Sequence, residues 1–214
     1  MSILLSMPRV ADHDQRRTLM THAFQRLLAE EGLSRVTFSK VAADAGISVG
    51  LIQHYFANKD ELLRFSYEDC LRRSADRVAQ HISAGEAAGQ PISAMLLAGL
   101  AELLPLDAER KVEFRVDRSL WTLSLNNPEL ARIAQRAHHE LHGRIATAIR
   151  NGKECGEVNA EVDSVAAATM ITSATRGLGD ILSIDSAPAD PAVLDVVLRP
   201  VISTVFTGRC GHFD

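Results

Sequence analysis

The residues best suited to chemistry sit in one stretch, Thr37 to Leu63, reading TFSKVAADAGISVGLIQHYFANKDELL. Val49, Gly50, Gln53 and His54 fall on one side of a short helical segment, with Leu51 beside them. Gln and His can donate to or accept from base edges, and small neighbours let such a helix enter a major groove. Groups suited to phosphate surround this face: the hydroxyls of Thr37, Ser39 and Ser48, the phenol of Tyr55 and the ammonium of Lys59. Thr37 and Ser48 stand at helix starts, where backbone N–H groups and the dipole attract anions. Contacts of that kind fix position, whereas base contacts carry sequence preference. Arg16 and Arg17 could add backbone or minor-groove contact. Taken singly, Lys59 reads as a solvated charge, Gln53 and His54 as surface, and Tyr55 and Phe56 as core. The spacing of the whole set favours DNA contact.

The elements that must hold these residues are helical almost throughout. Helix 1 is expected over 12–31, with Leu19, Ala23, Phe24, Leu27 and Leu28 on its apolar side and Gly32 ending it. Helix 2 (38–45) turns Phe38, Val41, Ala42 and Ala45 inward. Gly46 supplies the positive φ of a tight turn, and Ser48 caps helix 3 (49–55) as Thr37 caps helix 2. Ile47, Ile52 and Phe56 anchor helix 3. Helix 4 (59–84) offers Leu62, Leu63, Tyr67, Leu71 and Val78 to the interior. Helices follow at 92–104, closed by Pro105, at 107–125, at 128–152 and at 161–183. Asn126-Asn127-Pro128 is a break because the residue before proline avoids helical angles. A last helix covers 191–207, kinked or split by Pro200.

The order of Gly32, Thr37, Val41-Ala42, Ala45-Gly46-Ile47-Ser48, Gly50, Tyr55-Phe56 and Asn58-Lys59-Asp60-Glu61-Leu62 resembles the TetR family of bacterial regulators over about residues 12–65. Farther on, Leu104-Pro105-Leu106, an Arg/Glu-rich helix with Trp121, and Asn127-Pro128-Glu129-Leu130 look like the C-terminal domain of its BetI-like branch. The resemblance implies an all-α chain of about nine helices: a three-helix, helix-turn-helix DNA-binding domain (1–58, with 1–11 disordered) and a helical bundle for ligand binding and dimerisation (59–214). It also implies a regulator, most simply a repressor released from a palindromic operator by a small-molecule effector.

In the second domain, helix 8 is rich in small residues and helix 9 is too apolar for a free surface. Ala167, Ala174, Leu178, Leu194, Val197, Val201 and Val205 are therefore expected to form half of a four-helix homodimer interface. The alternative is that both helices are core of a monomer. Two reading helices about one helical turn apart, ~34 Å, would match a palindrome. An effector pocket is expected among Phe65, Leu100, Phe114, Arg118, Trp121, Leu125, Met170, Ser173 and Arg176, apolar walls with a few polar groups. Arg118 and Arg176 hint at an anionic or polar ligand, or pair with Asp117 or Asp180.

Composition bounds the rest. The 214 residues are 46% hydrophobic and 5% aromatic, with a net charge of −4. Residues 1–60 hold seven Lys/Arg against six Asp/Glu, and residues 61–214 hold sixteen against twenty-one. DNA contact is thus expected only in the first part. Met7 is a second candidate start. No apolar run suits a membrane span. Cys70, Cys155 and Cys210 are far apart, odd in number and form no CxxC, so neither a disulfide framework nor a zinc site is expected, and a reducing cytoplasm fits. His138 and His142 share a helix face at a zinc-like spacing, but a solvated histidine face is the simpler reading. No Gly-rich phosphate loop, GxSxG or nucleophile–base pair is present, so neither enzyme nor cofactor is expected.

Overall fold

Each turn and cap in the first seventy residues has a local cause. The computed structural model of the chain describes residues 9–184 and 190–210. It divides into two compact units, residues up to Cys70 and residues from Leu71 onward. The first contains α1 (Arg9–Glu31), a 3-10 turn (Leu33–Arg35), α2 (Phe38–Ala45), α3 (Val49–Tyr55) and the start of α4 (Lys59–Ala87). The Thr37 hydroxyl accepts from Lys40 N–H (3.3 Å) and the Ser48 hydroxyl from Leu51 N–H (3.2 Å). Gly46 closes α2 at φ 66°, ψ 34°, a left-handed conformation that costs other residues more. Asn58 and Glu61 form a reciprocal cap at the head of α4: Asn58 Oδ1 accepts from Glu61 N–H (2.9 Å) and Glu61 Oε2 from Ala57 N–H (2.7 Å).

This unit's core joins Met20, Phe24 and Leu28 of α1, Val41 of α2, Ile52 and Phe56 around α3, and Leu62 and Leu63 of α4. Fully burying the Phe56 ring pins the C-terminal end of α3, and truncating such a ring to alanine costs about 3–5 kcal/mol. Two expected core residues are out of place: Leu19 and Leu71 are exposed, and Met20 takes the inner position beside Ala23 and Phe24. Neighbouring apolar residues on a long helix leave its phase open by one position. Gln25 is buried and donates to Ser66 O (3.1 Å) and Asp69 (3.2 Å), so the early turns of α4 belong to this unit and not to the second, as a boundary at 58 would have it. The expected disorder over 1–11 meets a helix from Arg9; residues 1–8 lie outside the described residues.

The second unit comprises the rest of α4, α5 (Ile92–Ala101), α6 (Ala108–Ser124), α7 (Pro128–Cys155), α8 (Ser164–Ile184), a π-turn (Leu194–Leu198) and α9 (Arg199–Ser203). Its core is shared by α5, α7, α8 and the last segment, through Leu100, Ile149, Ile171, Leu198 and Ile202 among others. Boundaries follow capping groups. Asp163 starts α8 later than expected, its carboxylate accepting from Val165 N–H (2.8 Å) and Ala166 N–H (3.2 Å), which holds its pKa below the usual carboxylate value. Helix α5 ends earlier than expected, and the Ala101 carbonyl accepts from Leu104 N–H (3.2 Å) and from Arg110 (3.2 Å). Helix α7 runs past Gly152 to Cys155 and stops at Gly156. The last helix is split, as Pro200 requires: the proline lacks the N–H a continuous helix would use, and the turn before it widens to a π-turn. Among the described residues the only β pairing is an isolated bridge between Val158 and Phe206.

Candidate nucleic-acid interface and effector region

On α3 the inner side is Ile52, wholly buried, followed by Phe56. The outer side leaves Gly50, Gln53 and His54 exposed, with Val49 and Leu51 half-buried at its edges. Nothing lies within 4 Å of a side-chain position at Gly50, so this face is open to close approach. Thr37, Ser39 and Ser48 are exposed beside it. Thr37 and Ser48 each accept one cap bond through the hydroxyl oxygen, which leaves the hydroxyl proton for a further acceptor. Tyr55 is half-buried, its ring 4.5 Å from that of His13 on α1 and edge-on to His54 at 5.6 Å. The structure thus gathers all ten sequence-derived candidates into one unit.

Two basic residues do not project as expected. The Lys59 ammonium donates to Leu33 O (2.9 Å) and Val36 O (3.4 Å), tying the loop before α2 to the head of α4. One N–H remains for another partner. Arg17 lies over aromatic rings, its guanidinium carbon 3.7 Å from the centre of Phe65 and 5.6 Å from that of Phe56. Phe65, an expected pocket residue, takes part in this cation–π stack and packs edge-on against Phe56, 5.6 Å away, within the first unit.

Of the other pocket candidates, Phe114, Arg118, Trp121 and Arg176 do come together across α6 and α8. Arg118 bonds Asp180 (3.1 and 3.2 Å) and lies 5.7 Å from the Phe114 ring and 5.8 Å from that of Trp121. Arg176 lies 4.8 Å from the Trp121 ring. Phe114 is buried against the bare backbone of Gly179, where an added Cβ would stand 2.4 Å from the ring. Beside them, burial and then the charge of Arg176 push the His138 imidazole below its ordinary pKa, and its Nδ1 is buried without a partner. The solvated histidine face expected from sequence therefore does not hold at His138. Its neighbour His142 bonds Thr169 (3.0 Å) and the Val165 carbonyl (3.2 Å) of α8.

The remaining pocket candidates fall elsewhere. Leu100 is in the main core, Leu125 is 72% exposed just past α6, and Met170 and Ser173 lie on the outer side of α8. An open hollow of about 450 Å³ lies over α7, lined by Arg132, Gln135, Arg136, His139 and Glu140, none of them expected.

The expected dimer residues pack at least partly against this chain's own core. Ala167, Leu178 and Val205 are buried within the chain, and Ala174, Leu194, Val197 and Val201 are half-buried against the same core. Both sides of α8 are apolar, and periodicity does not say which faces inward. The exposed side is the other one, with Met170 and Ser173, then Gly177, Ile181 (69% exposed) and Ile184; Val196, before α9, is exposed as well.

Sequence reading missed an ion cluster joining α4 to α6. Arg77 bonds Glu113 through two nitrogens (2.6 and 3.2 Å) and Glu102 (2.7 Å); Arg73 lies 3.4 Å from Glu113, and Arg110 bonds Glu102 (3.2 Å). Glu113 is buried, and its hydrogen bonds raise the Arg77 pKa above its ordinary value. The signal was the run of Arg and Glu at α-helical spacing on both helices, legible as charge but not as pairing.

Comparison with known proteins agrees with this architecture. Residues 22–64 match the family described as bacterial regulatory proteins, tetR family. Residues 93–205 match the C-terminal domain of the BetI-type transcriptional repressor. Among curated relatives, the HTH-type transcriptional regulator PksA of Bacillus subtilis (strain 168) is 35% identical over 72 residues, 34% of this chain and 35% of that one. BetI of Stenotrophomonas maltophilia (strain R551-3) is 29% identical over 135 residues, 63% of this chain and 66% of that one. The match therefore spans less than two thirds of the length of both relatives. In fold, a transcriptional regulator from Rhodococcus sp. Rha1 superposes with a TM-score of 0.77 at 22% identity, covering 89% of this chain and 96% of that one. A regulator from Saccharomonospora viridis, solved in complex with choline, gives 0.75 at 21% identity, covering 89% and 95%. With an exposed helix-turn-helix face at one end and a BetI-type repressor domain over more than half its length, the chain belongs to the TetR family of transcriptional regulators and is not an enzyme.

Proposed function

We propose that the chain represses transcription by binding a palindromic operator as a homodimer, and that a small-molecule effector releases it. The observation that carries the reading is the two-sidedness of α3: Ile52 and Phe56 fix it from within, while Gly50, Gln53 and His54 remain outside. Gln53 and His54 read base edges. Thr37, Ser39, Ser48, Tyr55 and the spare N–H of Lys59 engage phosphates, and Val49 and Leu51 flank the base contact. The outer stripe of α8 with Val196 forms the dimer face. Large apolar side chains 69% and 74% exposed, as Ile181 and Val196 are, suit burial against a second copy.

The effector binds beside Trp121. Arg118 there is already paired with Asp180, while Arg176 lies 4.8 Å from the ring, so Arg176 is the charge that would draw in an anionic group. The chain's effector is then unlike the choline held by the Saccharomonospora viridis regulator. Electrophoretic mobility shifts with a fragment of the chain's own promoter test the core of this reading, and saturable binding is expected. No binding even at salt below about 100 mM, where phosphate contacts are strongest, would count against operator recognition.

A further inference from the structure

Two of the three cysteines, far apart in sequence, meet in space. Cys155 is the last residue of α7, and Cys210 lies beyond α9. Their sulfurs and a carboxylate oxygen of Glu157 all lie within 4.8 Å of one another. Cys155 Sγ is 3.7 Å from Glu157 Oε1 and 3.6 Å from the Gly152 carbonyl. We propose that Cys155, Cys210 and Glu157 form a three-ligand site for one thiophilic divalent cation of the zinc class.

The geometry fits. Tetrahedral zinc binds sulfur at about 2.3 Å and carboxylate oxygen at about 2.0–2.2 Å, so ligand atoms sit about 3.5–3.8 Å apart. The observed separations need only small closure. Glu157 is firmly positioned, being 2% exposed, and its two oxygens accept from Ile92 N–H (2.7 Å) and Ser93 N–H (3.1 Å) at the head of α5. A carboxylate has lone pairs beyond these two. The electrostatics also fit. The Glu157 carboxylate and the C-terminal end of α7, where Cys155 stands, both favour a cation. Binding replaces two thiol protons, which leave to solvent, and leaves a fourth position for water. The cation would staple three segments: the end of α7, the head of α5 through Glu157, and the strand-like stretch in which Phe206 bridges Val158 and Gly208 N–H bonds Glu157 O (2.9 Å).

The test uses the full chain, reduced and treated with chelator, then titrated with cobalt(II) and back-titrated with zinc. One cobalt per chain is expected, with a sulfur-to-cobalt charge-transfer band that zinc abolishes. Cys155→Ser and Cys210→Ser should each remove the band and weaken zinc binding at least about tenfold, since even loss of a supporting partner costs that much. Circular dichroism confirms that both variants are folded, and a His138→Asn/His142→Asn variant should keep the band. Absence of the band, or its survival in Cys210→Ser, overturns the proposal. So does a reduced chain that takes up no metal but forms a Cys155–Cys210 disulfide in air, an outcome that assigns the pair to thiol oxidation instead.

Discussion

The roles proposed for Gln53 and Lys59 are ones that a binding curve can separate. Gln53 is exposed and free to read a base, so Gln53→Ala should erase about 1–3 kcal/mol of discrimination at one operator position and leave stability unchanged. Lys59 also holds the Leu33 and Val36 carbonyls. Lys59→Met should therefore weaken all DNA sequences alike and also cost about 2 kcal/mol in urea denaturation, because charged hydrogen bonds are lost. A stable Lys59→Met chain would show the tie to be idle. Gly179 offers a second case. The Phe114 ring occupies the place of its missing side chain, so Gly179→Ala should destabilise by about 1–3 kcal/mol through overpacking. An unchanged melting temperature would mean that the ring moves aside freely. Sequence alone could not supply the partner: Gly179 reads as a small residue on a helix, and only the crossing of α6 makes it a seat for Phe114.

Elements whose ends carry their own capping groups were legible in advance. Helices α2 and α3 fall at the expected residues because Thr37, Gly46 and Ser48 decide them within a few positions along the chain. Ends set from afar were not. The last carbonyl of α5 takes Arg110, nine residues on, as well as Leu104 N–H, and α7 runs past Gly152, where Val158 and Phe206 fill the space beside the missing side chain, to the left-handed Gly156. The phase of α8 was open for a related reason, since an element apolar on both sides gives no one-dimensional clue to which side a partner takes. Between α4 and α6 the decisive contact is ionic. Removing Arg77 leaves the buried Glu113 with Arg73 alone, so Arg77→Ala should cost about 3 kcal/mol, read as a lower urea midpoint. A change within measurement error would show the cluster to be solvated.

At the scale of the whole molecule, two copies must associate before a palindrome can be read. The proposed face is the exposed stripe of α8, and Ile181→Glu should place a charge at its centre. Analytical ultracentrifugation should then show monomers at concentrations where the unaltered chain is dimeric, and operator affinity should fall with dimerisation. Ala167→Ser, inside the protomer, should leave the association constant intact. If Ile181→Glu remains dimeric, the copies meet elsewhere. The family and the DNA-reading unit were legible in the sequence because they rest on contiguous residues. The cluster proposed to hold an effector was legible only in part, because Phe114, Arg118, Trp121 and Arg176 had to be joined across two helices.

Pro200 acts as a phase setter. The widened turn before it inserts one residue into the helical count, and each residue advances the helix by about 100°. Were the segment to run on as ordinary α-helix, everything after it would rotate by that amount. Ile202 and Phe206 would swing off the core, the bridge to Val158 would part, and Cys210 would be carried away from Cys155. One imino acid thus keeps the chain's last ten described residues in register with the end of α7.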